Sequence, residues 1–208
     1  MPTDQIALAL ALARIGTVMK SLAWNTAEPL GINPTQGQIL AHLAARGPSR
    51  VSDLAAGLGV SQPTLSDAAA ALLRKGMLER RPDPGDGRAV RLHLTEQGSA
   101  VAEMAGSPSP VMLSALEQLS PRDRDGMQRG LVGLIRALQI AQAIPVQRMC
   151  VNCAHFRPNT HDDAARPHHC AFVDAAFGDA ALRIDCGDHE DAADEDLAPL
   201  WARFFTAA

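Results

Sequence analysis

The chain has 208 residues, of which 47% are hydrophobic but only 3% aromatic, with no tyrosine. That length supports one domain with a small appendage, and an Ala- and Leu-rich composition argues against a β-dominated fold. The net charge of −4 would disfavour nucleic acid if it were evenly spread, but residues 1–149 hold 15 Lys+Arg against 12 Asp+Glu, and residues 150–208 hold 4 against 11. Only the first part can face a polyanion.

The N-terminal stretch lacks the basic flank of a secretory leader, since Asp4 precedes the apolar run from Ile6 to Ala13 and Arg14 follows it. No run approaching the ~20 apolar residues of a membrane span stands out. The expected location is therefore cytoplasmic, where cysteines are ligands or thiols rather than a disulfide framework.

Residues 5–24 read as an amphipathic helix, with Leu8, Leu12, Ile15, Met19 and Leu22 three or four apart on one face. Asn33-Pro34-Thr35 opens a second helix through Ala45, stopped by Gly47-Pro48. Two short helices follow. The first spans about Val51 to Leu58 with Ser52 as its expected cap, and Gly59 makes the turn. The next starts at Ser61, carries Pro63 in its first turn and runs to about Lys75 before Gly76. This is a helix-turn-helix.

Met77 to Arg81 and Ala89 to Leu94 read as strands, and Pro82-Asp83-Pro84-Gly85-Asp86-Gly87-Arg88 between them as a protruding loop. A helix-turn-helix followed by such a hairpin is the layout of a winged helix. Residues 95–105, 111–119 and 122–144 are expected to be helical, the last with the stripe Met127, Leu131, Leu134, Ile135 and Leu138 and its end at Pro145.

In a helix-turn-helix the second helix enters the major groove N-terminus first. The candidate DNA-contacting residues are therefore Ser61, Gln62, Thr64 and Ser66, with Gln62 alone suited to a bidentate contact with adenine. Lys75 and Arg88 add basic contacts, Arg88 at the wing tip beside Asp86. Residues 46–91 hold 8 Lys+Arg against 5 Asp+Glu, a modest excess that predicts salt-dependent binding.

These segments resemble the MarR family of winged-helix regulators over roughly residues 30–145. The likeness rests on Thr35-Gln36-Gly37-Gln38-Ile39-Leu40, on Asp53-Leu54-Ala55 and on Val60-Ser61-Gln62-Pro63-Thr64-Leu65-Ser66. It continues through Leu73-Arg74-Lys75-Gly76-Met77-Leu78-Glu79-Arg80 and Leu94-Thr95-Glu96-Gln97-Gly98. Its most specific piece is the Asp86-Gly87-Arg88 of the wing. The resemblance implies a homodimer on a pseudo-palindromic duplex, with the first and last helices forming the dimer interface. Two features depart from the family: the alanine run Ala68 to Ala71 in the recognition helix, and the presence of residues 148–208.

All four cysteines lie in that extra segment: Cys150 and Cys153 as C-x₂-C, then Cys170 and Cys186 after intervals of 16 and 15 residues. Five of the seven histidines lie there too, and His168 and His169 are alternate ligands. Four thiolates hold either zinc or a 4Fe–4S cluster. Adjacent histidines favour zinc, whereas the spacing resembles that of small high-potential iron–sulfur proteins, with Phe156, Phe172 and Phe177 available as an apolar shell. Asp185 to Asp196 contains seven acidic residues and reads as a solvated tail, followed by Trp201, Phe204 and Phe205.

The expected architecture is thus mainly α with a small β-hairpin wing. It comprises an N-terminal dimerisation helix (1–30), a winged helix-turn-helix (31–94), C-terminal dimerisation helices (95–147), a cysteine/histidine metal-binding module (148–191) and an acidic then aromatic tail (192–208). The expected function is that of a homodimeric transcriptional regulator, a repressor rather than an enzyme, whose metal centre is structural or senses metal or redox state. Its expected partners are double-stranded DNA, a second copy and optionally a small-molecule effector, with no membrane. The rival reading is a small redox or metal-dependent enzyme that uses the cysteine module for chemistry and the winged helix for docking.

Overall fold

A computed structural model describes residues 3–206. The chain divides into two compact units, residues 1–113 and 114–208.

The first unit opens with α1 (Thr3–Ala27), longer at both ends than the periodic stripe. α2 (Pro34–Arg46) begins at a full capping box: the Asn33 side chain accepts from the Gln36 N–H while the Gln36 side chain accepts from the Asn33 N–H. α3 (Val51–Leu58) is capped by Arg50 without a side-chain bond, not by Ser52. Gly59, at φ 65°, supplies the left-handed turn into α4 (Gln62–Arg74). Ile39, Leu40, Leu54, Leu65, Leu72 and Leu92 are fully buried in one cluster. Each such side chain contributes roughly 1.5–3 kcal/mol.

β1 (Leu78–Asp83) and β2 (Asp86–Leu94) pair antiparallel, Leu78 opposite Leu94 and Pro82 opposite Val90. The expected seven-residue loop is therefore mostly strand, and the chain reverses at Pro84-Gly85. Ser49 adds a bridge to Leu92, through paired N–H to carbonyl bonds of 3.3 and 2.9 Å. α5 (Glu96–Gly106) is capped by Thr95, and Gly98 within it has no room for a Cβ, which would lie 1.9 Å from the Met77 carbonyl oxygen.

α1 is almost bare. Only Ala27 is buried, and Leu8 and Leu10 are 63% and 66% exposed. By length and composition the stretch Thr3–Leu30 qualifies as a membrane span, which the sequence reading did not recognise. Arg14 and Lys20 lie within it, however, and a charge near a bilayer centre costs about 2.5–3.5 kcal/mol.

α6 (Pro110–Glu117) spans the boundary between the units. In the second unit, α7 (Pro121–Ile140) ends four residues before the expected stop, and Gln142 at φ 56° turns the chain away. A small antiparallel sheet follows, in the order β3 (Phe156–Arg157), β4 (His168–Cys170), β5 (Ala175–Phe177). The expected acidic and aromatic tail is instead α8 (Asp194–Thr206). Asp194, Glu195 and Asp196 occupy its first turn, where the helix dipole favours carboxylates. Phe204 is fully buried with Val132, Met149, Val151 and Phe156. The Arg129 guanidinium lies 4.3 Å from the Phe204 ring centroid and also bonds the Phe204 carbonyl. The C-terminal helix is part of the core of this unit.

Candidate nucleic-acid interface and cysteine-lined cavity

The N-terminal end of α4 is exposed. Ser61 caps it, its hydroxyl accepting from the Thr64 N–H at 3.3 Å and sharing a 2.8 Å bond with the Thr64 hydroxyl. Gln62 and Ser66 stand free of the core on the same end, whereas Leu65, Ala68, Ala69 and Leu72 form the buried side. The alanine run therefore includes the inner face, where small side chains allow close helix packing. It does not subtract from the outer, polar one. Arg88 is exposed near the tip of the hairpin, its N–H donating to Asp86 Oδ1 at 3.1 Å.

The residue that fixes the hairpin is one the sequence reading treated only as a turn former. Asp83, with a side chain 1% exposed, accepts from Arg50 Nε at 2.7 Å and Arg91 Nε at 2.8 Å, both on Oδ2. Its Oδ1 accepts the Gly85 N–H at 2.8 Å. Hydrogen bonds from Arg50, Arg91 and Gly85 hold the carboxyl well below the usual carboxylate range. Arg50 also approaches Asp86 Oδ2 at 3.7 Å. One buried acid thus ties the start of α3 to both strands of the wing.

Lys75 is placed differently from its expected role. Its ammonium donates to the Gly31 carbonyl at 2.7 Å and to Gln36 Oε1 at 2.9 Å. It braces the start of α2 from the end of α4 while its side chain stays exposed.

In the second unit, Cys150, Cys153, Cys170 and Cys186 line a single cavity of about 190 Å³. Cys150 opens a 3₁₀ turn whose carbonyl accepts the Cys153 N–H at 2.9 Å. Cys170 ends β4 opposite Phe156, and Cys186 is fixed by its N–H to the Arg148 carbonyl at 3.0 Å. The Arg183 N–H donates to Cys150 Sγ at 3.2 Å, and its guanidinium to Cys186 Sγ at 3.6 Å. Burial pushes the Cys150 thiol above its ordinary value. Phe156, Phe172 and Phe177 supply apolar wall, as the sequence predicts. Among the described residues no three His, Cys, Asp or Glu side chains converge closely enough to hold a single ion.

The two candidate histidines are elsewhere. His168 is fully buried and accepts the Asn159 N–H on Nδ1 at 3.2 Å, leaving Nε2 to donate to Asp179 Oδ1 at 2.8 Å. Both ring nitrogens are used, so His168 is a structural residue. Burial raises the Asp179 carboxyl, but bonds and charge from His168 and Arg129 outweigh it and hold the group below its ordinary value. His169 meets His161 at 3.2 Å and Asp174 at 3.3 Å, also outside the cavity lining.

Residues 30–89 match the MarR family model. The chain is 30% identical over 96 residues to an uncharacterised HTH-type transcriptional regulator, YkoM, of Bacillus subtilis, and 35% identical over 79 residues to the multiple antibiotic resistance protein MarR of Salmonella typhimurium. These matches take in 46% and 38% of this chain, and 62% and 55% of the relatives' own lengths. Among solved structures, a MepR–DNA complex of S. aureus aligns with a TM-score of 0.56 at 28% identity, covering 62% of this chain and 97% of that one. The helix-turn-helix and the start of the hairpin thus lie in the segment that resembles the MarR family, and the fold of this unit is similar to that of the MepR–DNA complex.

Proposed function

We propose that the protein is a homodimeric, sequence-specific duplex-DNA-binding transcription regulator that represses by occupying its operator. The observation that carries this reading is the exposed polar N-terminal end of α4 beside a hairpin locked through Asp83. The likeness to a protein solved on DNA supports it and favours it over the catalytic alternative. Gln62 reads a base edge, Ser61, Thr64 and Ser66 contact bases and phosphates, and Arg88 reaches the backbone or minor groove.

The second copy covers the apolar surface of α1, where Leu8, Ile15 and Met19 are each more than two-fifths exposed. Dimerisation also accounts for a pseudo-palindromic site, because a two-fold protein repeats its contacts on two half-sites. The four-cysteine cavity adds a metal centre, structural or responsive to metal or redox state.

Equilibrium binding of the full chain to labelled duplexes, in a salt series and with sedimentation in parallel, tests the reading. Dimeric protein that binds a selected duplex at least about 10³-fold more tightly than random duplex supports it. A monomer, or equal affinity for every duplex, contradicts it.

A further inference from the structure

We infer that the cysteine cavity is built for a four-iron, four-sulfide cluster, each iron taking one thiolate from Cys150, Cys153, Cys170 and Cys186. This deepens, and rests on, the reading of the cavity as a metal centre.

Two geometric facts separate the cluster from zinc. A tetrahedral zinc sits about 2.3 Å from every sulfur, so its four ligands must converge on one point. Here the four cysteines surround a cavity of about 190 Å³, and no three candidate ligands among the described residues gather at single-ion range. On that measure one water needs only about 10–15 Å³. A lone ion leaves most of it empty, whereas a cubane spaces its thiolates at the corners of a cage.

The walls fit the same occupant. Phe156, Phe172 and Phe177, with Val173, Ala175 and Ala181, make most of the remaining wall apolar, and His155, Arg183 and Asp188 complete it. Such a shell limits water at bridging sulfides, with Phe172 and Val173 forming its exposed rim. Two polar contacts fall where a cluster carries its charge. The backbone N–H of Arg183 reaches Cys150 Sγ and its guanidinium reaches Cys186 Sγ. Hydrogen bonds to thiolate sulfur and nearby positive charge are the means by which a protein tunes such a centre.

The backbone presents the ligands independently of the histidines. Cys150 and Cys153 come from one 3₁₀ turn, Cys170 from a strand end and Cys186 from a loop tied to the Arg148 carbonyl. His168 is locked to Asn159 and Asp179, and His169 to His161 and Asp174. His155, which does line the cavity, pairs with Glu190 at 3.3 Å, and this leaves the four cysteines as the ligand set.

The full chain, purified without oxygen and reconstituted with equal amounts of ferrous and ferric iron and with sulfide, provides the test. The expected result is brown protein with broad visible absorption and about four iron and four acid-labile sulfide per chain. Each single Cys→Ser variant should lose the intact cubane, while His155→Gln and His169→Gln keep wild-type iron and sulfide. Circular dichroism of each variant separates cluster loss from unfolding. About one zinc per chain without sulfide overturns the cluster and leaves the metal-centre reading standing. Protein that takes up neither metal overturns both. Loss of iron on replacing His155 or His169 in a folded variant overturns the all-sulfur ligand set.

Discussion

Arg50 Nε lies 2.7 Å from Asp83 Oδ2, joining the residue that caps α3 to the last residue of β1. The wing's direction is therefore set by the helix-turn-helix itself. Asp83→Asn removes a charge on which two guanidinium groups converge, and operator affinity should fall roughly tenfold or more as the hairpin loosens. Duplex titration of the variant checks this, with wild-type affinity as the contrary result.

The same carboxyl predicts a pH profile. Its folded value is depressed below the unfolded value of about 3.9, so its contribution is complete above that pH and lost only as pH falls through the lowered value. The thermal stability of wild type relative to Asp83→Asn should be constant from about pH 5 to 8 and shrink only in strong acid. A difference that changes across neutral pH contradicts the assignment.

Arg88 and Lys75 should part company. Arg88→Ala should weaken binding almost uniformly across sequences and lower the salt slope by about one, with stability unchanged within about 0.5 kcal/mol. Lys75→Met should leave the slope alone and destabilise the fold by about 1 kcal/mol through its lost bonds to Gly31 and Gln36. Salt titrations and chemical denaturation distinguish the two.

Leu8 and Ile15 are 63% and 43% exposed on one face of α1. Replacing both with Glu should yield a folded monomer in sedimentation, with operator affinity falling alongside. A dimer of unchanged strength would place the interface elsewhere.

Phe204→Ala should cost about 3–5 kcal/mol, because it empties a fully buried site at the centre of the second unit. Thermal unfolding reads this directly. An unperturbed melt would mean that α8 is dispensable.

Where caps and periodicity coincide, the local structure was legible in the chain itself. Asn33 with Gln36, Gly59, and Ser61 followed by Pro63 mark the helix-turn-helix, and the structure follows them within a residue or two. The wing and the body of both strands were visible, but not the reach of the strands toward the tip, because Pro82 and Asp83 read as turn residues until Val90 and Asp86 are seen opposite them. The role of Asp83 was hidden for a related reason: its partners are distant in sequence, and nothing local marks a carboxylate as buried. The four cysteines were conspicuous, and their shared cavity is a tertiary fact. The acidic run masked α8, since Pro199 interrupts its pattern and the carboxylates that suggest a solvated tail also suit a helix N-terminus.

Selection of the full-length protein against a randomised duplex library tests the central claim most directly. The account predicts enrichment of a pseudo-palindrome whose half-sites lie about 10–10.5 base pairs apart, or a multiple of that spacing. Gln62→Ala should relax preference at one position in each half-site, where a good bidentate contact is worth about 1–3 kcal/mol. A library that emerges without a two-fold motif, or a motif that Gln62→Ala and Arg88→Ala bind as tightly as wild type, would contradict it.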